Sequence, residues 1–328
     1  MSQNKITIIH SFPTWLTPTQ TWMYNLVKYV PESINNHIVC KRTQNLDRFN
    51  LPNIHSLADE SLVSLLWEEL LLRSSFKKTS NFLINQAKKY QAQILHSHFG
   101  HLGWANLHNA QTSQLKHIVT FYGYDVNCFP QQNPIWLTRY QQLFDQISCV
   151  LCEGSHMAQS IINLGCPKEK VKVQHLGVKV NNISYKPRKW QQNQPLRILI
   201  AASFVEKKGI PYAIEALGRI KDDVDLEITI IGDVSKSKPR YRIKRSQLEK
   251  QKILDLITKY KLNSKTKMLG YQSHDVFFQE AYKHHIFLSP SVIAEDGDTE
   301  GGAPVSIIET AASGMFVIST THCDIPEV

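Results

Sequence analysis

The chain has few cysteines, no long apolar run and no excess of acid. Its six cysteines, Cys40, Cys128, Cys149, Cys152, Cys166 and Cys323, are spread over 328 residues and mostly sit in apolar stretches. That scarcity excludes a secreted disulfide scaffold. No stretch approaches the roughly 18 consecutive apolar residues of a membrane span. The first residues, MSQNKITIIHSFP, are interrupted by His10, Ser11 and Pro13 too soon to form a signal peptide. No G-x-G-x-x-G follows either half's first strand, and there is no GxxxxGK[ST] and no G-x-S-x-G. A dinucleotide fold, a P-loop and a hydrolase elbow are thereby disfavoured. Apolar residues at 42% and charged residues at 20% exclude a mostly disordered chain. With 37 Lys and Arg against 28 Asp and Glu, the net charge is +9. A cationic chain favours an anionic partner. Nucleic acid is not the expected one, because no RRM, KH or zinc-finger pattern accompanies the charge. The expectation is a soluble cytoplasmic protein, with any membrane contact peripheral.

Short β-branched runs alternate with helical patterns along the whole chain. Strands are expected at Ile6–Ile9, Ile38–Cys40, Ile94–His98, Ile118–Phe121, Cys149–Cys152 and Lys172–His175. The second half offers Leu196–Ala201, Glu227–Ile231, Thr266–Leu269, Ile286–Ser289 and Phe316–Ser319. Helical periodicity marks Thr19–Val30 and Ser246–Tyr260. This alternation implies parallel sheets covered on both faces. Residues 181–195 are polar, with two prolines and no apolar period. The division that follows is a domain over 1–183, a linker over 184–195 and a second domain over 196–328. Two Rossmann-like domains of this kind place a ligand cleft between them. The second half is short by a closing βα unit of roughly 30 residues, so an incomplete or truncated second domain is expected. Ser61–Leu72 is apolar around most of its circumference and is expected to be a core or interdomain helix rather than a membrane-surface one. The cationic run Lys236–Arg245 is expected to be a solvated loop.

The residues with most chemical content lie at Glu300-Gly-Gly-Ala-Pro-Val-Ser-Ile-Ile-Glu309. Gly301 and Gly302 allow a sharp turn and close ligand approach. Pro304 suits the first turn of a helix beginning there. The free amides at that N-terminus, with the positive end of the helix dipole, make a diphosphate site. Val305, Ile308 and Ala312 are expected to face inward. Two glutamates beside a Gly-capped helix are, taken alone, better explained by structure than by chemistry.

The surrounding residues change that. The stretch resembles the E-x7-E signature of the family 4 retaining glycosyltransferases. Flanking it in the family's order are Phe204-Val-Glu-Lys-Lys-Gly209, Ile230-Ile-Gly-Asp233, Met268-Leu-Gly270, Phe287-Leu-Ser-Pro-Ser291 and Asp324-Ile-Pro-Glu327. Ile94-Leu-His-Ser-His-Phe-Gly100 and Thr120-Phe-Tyr-Gly-Tyr-Asp125 match in the first half. The resemblance covers nearly the whole chain and is nearest to enzymes of bacterial exopolysaccharide or cell-surface polysaccharide assembly. It implies the GT-B fold and transfer of a sugar, with retention, from a nucleoside-diphosphate donor to a hydroxyl of a glycan or lipid-linked acceptor. It implies no cofactor and no metal. It points to Glu300 beside the donor sugar and Glu309 on the ribose. The turn Gly301, Gly302, Ala303, Pro304, Val305 and Ser306 is placed on the diphosphate, and Lys208 pairs with the phosphates. His98, Thr19 and Asp125 are expected on the acceptor side of the cleft.

Several positions depart from the family. Ser203 stands where a second phosphate-binding cation, an arginine, is usual; the Lys236–Arg245 run is a candidate substitute. Eight residues rather than seven separate the glutamates. Tyr122-Gly123 replaces His-Gly; a tyrosine donates a hydrogen bond to a sugar but is a poor base, and Tyr122 is the catalytic candidate in the first domain beside Glu300. Asp296-Gly-Asp298 is expected to be loop rather than a metal-binding DxD. His96 and His98 share one strand face and could co-ligate a metal, though no carboxylate or thiol nearby completes the set; they are read as lining histidines. Cys149 and Cys152 are read as core cysteines. A non-catalytic relative that binds a nucleotide or glycan remains the competing reading.

Overall fold

The structure is a computed structural model that describes residues 5–17, 20–73, 80–234 and 240–328. Its contacts divide the chain into two compact units, Met1–Gly177 and Val178–Val328.

The first unit carries seven strands: β1 (Ile6–Trp15), β2 (Ile34–Thr43), β3 (Ile54–Ser56), β4 (Ile94–His98), β5 (Lys116–Thr120), β6 (Cys149–Cys152) and β7 (Val171–Val173). They form one parallel sheet in the order β3-β2-β1-β4-β5-β6-β7. Strand order reverses between β1 and β4, which makes that edge the topological switch point. β1 runs well past the expected Ile9, pairing with β2 as far as Trp15↔Thr43. The polar residues that seemed to end it are buried and satisfied: Ser11 Oγ accepts from Asn106 Nδ2 at 2.9 Å. Helices on one face close over Val119, Phe121, Tyr140 and Phe144, which are all buried. Gly100 and Gly103 let a helix lie directly on that layer, since a Cβ on Gly100 would come within 2.1 Å of the Phe121 ring.

The second unit carries β8 (Leu196–Ala201), β9 (Leu226–Ile231), β10 (Thr266–Gly270), β11 (Ile286–Ser289) and β12 (Phe316–Ser319). Their parallel order, β10-β9-β8-β11-β12, puts the switch point between β8 and β11. Ile198, Ile200, Ile228 and Ile230 alternate into a core shared with the helix Ile210–Ile220. The polar segment 184–195 belongs to this unit. The Lys186 amide donates to Ser313 O at 2.9 Å, the Arg188 guanidinium donates to the carbonyls of Ser313 and Ala281, and the Tyr282 hydroxyl donates to Ser184 O.

Four local expectations change. The helix Leu62–Arg73 buries Leu65 and Glu68 but exposes Leu62, Val63, Leu66, Trp67 and Leu70, so it is not a core helix. The helix Val305–Ala312 turns Ile307 and Thr310 inward, with Ser313 after them, rather than Val305, Ile308 and Ala312. Pro304 precedes that helix in an extended conformation instead of occupying its first turn. In the cationic run, residues 236–239 lie outside the described residues, whereas Arg240 opens a helix that continues to Lys259.

Candidate functional site

Two loops meet at the switch point of the second sheet. One leaves β8 and runs through Ser203 to a tight turn at Glu206–Lys208. The other leaves β11 at Pro290 and reaches Glu300. They touch at Gly209, whose φ of +62° no L side chain adopts easily, and whose missing Cβ would sit 1.7 Å from the Pro290 carbonyl oxygen. The Val292 amide donates to Lys207 O at 2.9 Å. The turn bearing the two lysines is therefore fixed against the loop bearing the carboxylates.

Lys208 Nζ lies 2.7 Å from Glu300 Oε2, and the Ser291 hydroxyl donates to Glu300 Oε1 at 2.7 Å. The Glu300 side chain is 5% exposed and that of Lys208 19%. Burial works to raise the Glu300 carboxyl, but the ammonium groups of Lys208 and Lys207, with the hydrogen bonds from Lys208 and Ser291, outweigh it and hold it below its usual range. Glu300 is therefore a buried carboxylate rather than a carboxylic acid. Its own amide donates to His322 Nε2 at 3.3 Å. Lys207 turns the other way, to Asp298 Oδ1 at 3.1 Å and Thr299 O at 2.7 Å. Against its burial, Asp298 and Glu300 keep its ammonium charged.

Arg245 reaches this region from the helix Arg240–Lys259 and pairs with both Asp296 and Glu206. Arg245, one cation of the run considered as a substitute for the one missing at Ser203, is thus occupied by two carboxylates. Asp296 and Asp298 in turn are bound to different cations, so the DGD triplet is a braced loop. Ser203 is half-buried in the first turn after β8 and accepts from the Val205 amide at 2.8 Å.

Beyond Glu300, Gly301 (φ +78°) and Gly302 lead through Ala303 and Pro304 into the helix Val305–Ala312. The amides of Val305 and Ser306 have no intrahelical partner, and the first intrahelical bond is Ile307 N to Pro304 O. Glu309, one turn on, accepts from His274 Nε2 at 2.8 Å, and that hydrogen bond raises the His274 pKa. The arrangement is a cation from one loop set against a buried carboxylate that lies five residues ahead of an open helix N-terminus. It can bind a diphosphate and counter the charge that develops as it departs.

In the first unit the expected residues gather below the sheet's switch point, inside the protein. Tyr122 is buried against Trp22 (ring centroids 4.4 Å apart), and its hydroxyl is engaged by His98 Nδ1 at 2.6 Å. His98 stacks on Phe12 and contacts His10 Nδ1 through Nε2 at 3.1 Å. Asp125 accepts from the Gly100 amide at 2.6 Å and from the Tyr122 amide at 2.8 Å. Burial lifts its carboxyl to about 6 despite those bonds. Tyr122, His98 and Asp125 were expected to face a ligand; all three are buried, with their polar atoms committed to one another, to His10 or to the backbone. Asp125 bolts the turn after β5 to the turn after β4, where Phe99 holds a φ of +80°. Thr19 lies outside the described residues.

Sequence reasoning missed His10, Ser291, His274 and His322. Ser291 ends a quoted motif and was recoverable. The other three become relevant only through contacts between segments distant in sequence.

A family model described as Glycosyltransferase Family 4 matches residues 19–182, and one described as Glycosyl transferases group 1 matches 184–328. The chain is 31% identical over 272 residues to the putative colanic acid biosynthesis glycosyltransferase WcaL of Escherichia coli, covering 80% of this chain and 63% of that protein. It is 32% identical over 246 residues to the amylovoran biosynthesis glycosyltransferase AmsK of Erwinia amylovora, covering 74% and 56%. It thus spans less than two thirds of the length of these curated relatives. Among solved structures it resembles HepE of Anabaena in complex with UDP and glucose, with a TM-score of 0.72 at 13% identity, covering 98% of this chain and 82% of that one. It also resembles the apo lipopolysaccharide outer core galactosyltransferase WaaB, with a TM-score of 0.65 at 14% identity, covering 98% and 82%. These structural likenesses support the GT-B fold.

Proposed function

Starting from the fact that the chain belongs to glycosyltransferase family 4, we propose that it transfers a sugar, with retention, from a nucleoside diphosphate to a hydroxyl of a glycan or lipid-linked acceptor in polysaccharide assembly. The observation that carries this reading is the Lys208–Glu300 pair at the second sheet's switch point, five residues ahead of an open helix N-terminus. Lys208 and the amides of Val305 and Ser306 neutralise the diphosphate, and the glycine turn Gly301-Gly302 lets it approach the backbone. Glu309, held by His274, accepts from the ribose hydroxyls. Glu300 stands beside the sugar, its charge kept by two lysines, and stabilises the positive charge that grows on the anomeric centre as the bond to the phosphate lengthens.

The acceptor is assigned to the first unit. Tyr122 acts there from beneath the surface, through the hydrogen bond that fixes its hydroxyl on His98, and not as a direct sugar contact. No described helix is long and apolar enough to cross a membrane. The exposed row Leu62, Val63, Leu66, Trp67 and Leu70 is the face on which the chain would rest on a membrane if its acceptor is lipid-linked.

The test is thermal stabilisation by UDP-, GDP- and ADP-sugars. The uridine donors come first, because the structural relative HepE was solved with UDP and glucose. A ligand that binds only the folded state raises its stability by mass action, so one nucleotide class should raise the melting temperature and Glu309→Ala should abolish the rise. No rise with any donor would remove the donor site from this reading. The second reading, a relative that binds without turnover, is favoured by Ser203 alone; transfer of labelled sugar to any acceptor would end it.

A further inference from the structure

We propose that His10, His96 and His98 form a site for a borderline divalent transition metal, of which Zn2+ is the representative, tying β1 to β4 inside the first unit. The site does not depend on the glycosyltransferase reading. The backbone creates it. His10 pairs in register with His96 across the β1–β4 ladder, and His98, two residues on, points to the same face. Ring centroids lie 4.2 Å apart for His96–His98 and 5.1 Å for His10–His96. One ring nitrogen from each histidine lies within 4.8 Å of the other two.

The outward nitrogens are already held. His10 Nε2 lies 3.1 Å from Asn36 Oδ1, and the Asn36 amide is oriented by its own bond from Nδ2 to Val27 O. His96 Nε2 lies 2.7 Å from Thr120 Oγ1, and His98 Nδ1 lies 2.6 Å from the Tyr122 hydroxyl. Metal-binding histidines are characteristically fixed in this way through the nitrogen that does not bind the metal. What remains are His10 Nδ1, His98 Nε2 and His96 Nδ1. The first two are 3.1 Å apart, too close for two bare lone pairs, so without metal a proton sits between them. A tetrahedral Zn2+ with bonds of about 2.0–2.1 Å sets its nitrogens about 3.4 Å apart, and little movement separates the two arrangements.

Burial drives all three imidazoles toward the neutral form, to about 4 for His10 and well below the ordinary range for His96 and His98, so the lone pairs are available at neutral pH. The proton balance closes without loss from the rings. As metal takes His98 Nε2, its proton passes to Nδ1 and is accepted by the Tyr122 oxygen, whose own hydrogen turns away. Three nitrogen donors suit Zn2+, Co2+ or Ni2+ and not the oxygen-seeking Mg2+ or Ca2+.

The full chain, stripped with chelator and dialysed, is titrated with Zn2+ by calorimetry and with Co2+ by visible absorption, and its unfolding is followed with Zn2+ or Mg2+ present. The expected result is one tight equivalent, an intense tetrahedral cobalt spectrum, and stabilisation by Zn2+ but not Mg2+. Thr120→Val, which removes the partner of His96 Nε2, should weaken affinity on the order of 10- to 100-fold, and His96→Phe should abolish the tight equivalent. If His96→Phe does not fold, the Thr120→Val affinity and the wild-type cobalt spectrum decide. A weak octahedral cobalt spectrum, or affinity unchanged in Thr120→Val, would overturn the site: metal would then be binding exposed histidines, and the cluster would be a hydrogen-bonded chain only.

Discussion

Replacing Glu300 by glutamine should tighten the binding of a bare nucleoside diphosphate while it suppresses sugar transfer. With no ligand, the Lys208 ammonium is bound to Glu300 at 2.7 Å. A diphosphate must therefore compete with that carboxylate for the lysine. Both side chains are largely shielded from water, so the contact keeps the strength of a hydrogen bond between charged groups, about 1.5–3 kcal/mol net. Glutamine can still accept from the Ser291 hydroxyl, which preserves the local fold, but to Lys208 it offers an uncharged acceptor and a weaker bond of about 1 kcal/mol. The difference, about 0.5–2 kcal/mol, corresponds to roughly two- to thirty-fold tighter binding at about 1.4 kcal/mol per tenfold. Calorimetric titration of wild type and Glu300→Gln with UDP, GDP and ADP measures it, with matched melting temperatures as the control for folding. Equal or weaker affinity in the variant at unchanged stability would refute the argument: either Lys208 does not meet the phosphates, or Glu300 does not restrain it.

Gly209→Ala should lower stability by about 2–5 kcal/mol, summing a left-handed penalty of about 1–2 kcal/mol and an overpacking penalty of about 1–3 kcal/mol, because its Cβ meets a carbonyl that cannot rotate away; urea denaturation tests it, and a loss below 1 kcal/mol would mean the loops are not locked. Acid should destabilise the first unit before its carboxylates titrate. His10 and His117 are pushed from 6.5 to about 4 by burial, so their contribution is complete above pH 6.5 and is lost as pH falls toward 4, on the order of 3 kcal/mol each. Asp125 works in the opposite sense, since its raised folded value of about 6 favours the fold at lower pH, but it is one group against several; denaturation midpoints at pH 7.5 and 5 should differ, and equal midpoints would show that the histidines are solvated. Leu66→Glu with Leu70→Glu should leave the melting temperature nearly unchanged, as exposed positions do, while reducing co-sedimentation with lipid vesicles; unchanged sedimentation would detach that face from membrane contact.

How much of this was legible in the sequence depended on the range of the interaction. Ile94–His98, Cys149–Cys152, Leu196–Ala201 and Ile286–Ser289 are strands with the expected bounds, because a largely buried parallel strand announces itself by its own apolar run; Phe316–Ser319 also has the expected bounds, legible from its apolar run although it is an exposed edge strand. Strand β3 was missed because Ile54–Ser56 offers three residues and no period. The exposed face of Leu62–Arg73 was misread because composition reports that a helix is apolar without reporting what covers it. In the candidate site, Lys208, Glu300 and Glu309 were singled out by the ordered set of motifs that resembles family 4, since taken alone each is explained by structure; the structure brings Lys208 and Glu300 into contact. The inward turn of Tyr122, the bolt made by Asp125 and the partnership of His10 with His96 depend on which strands become neighbours. No single segment contains that information.

The close approach of Gly209 to Pro290 carries a lesson for anyone building hybrids of this chain with its relatives. The two residues sit 81 positions apart, in segments that a cut-and-paste scheme based on linear motifs would exchange separately. A hybrid that takes the lysine turn from one parent and the serine loop from the other inherits a glycine sized for a carbonyl that has moved, or a carbonyl facing a side chain where none fits. Crossovers that carry 202–212 together with 286–293 should give folded, ligand-responsive hybrids far more often than crossovers between them. The two stretches are one heritable module written in two places.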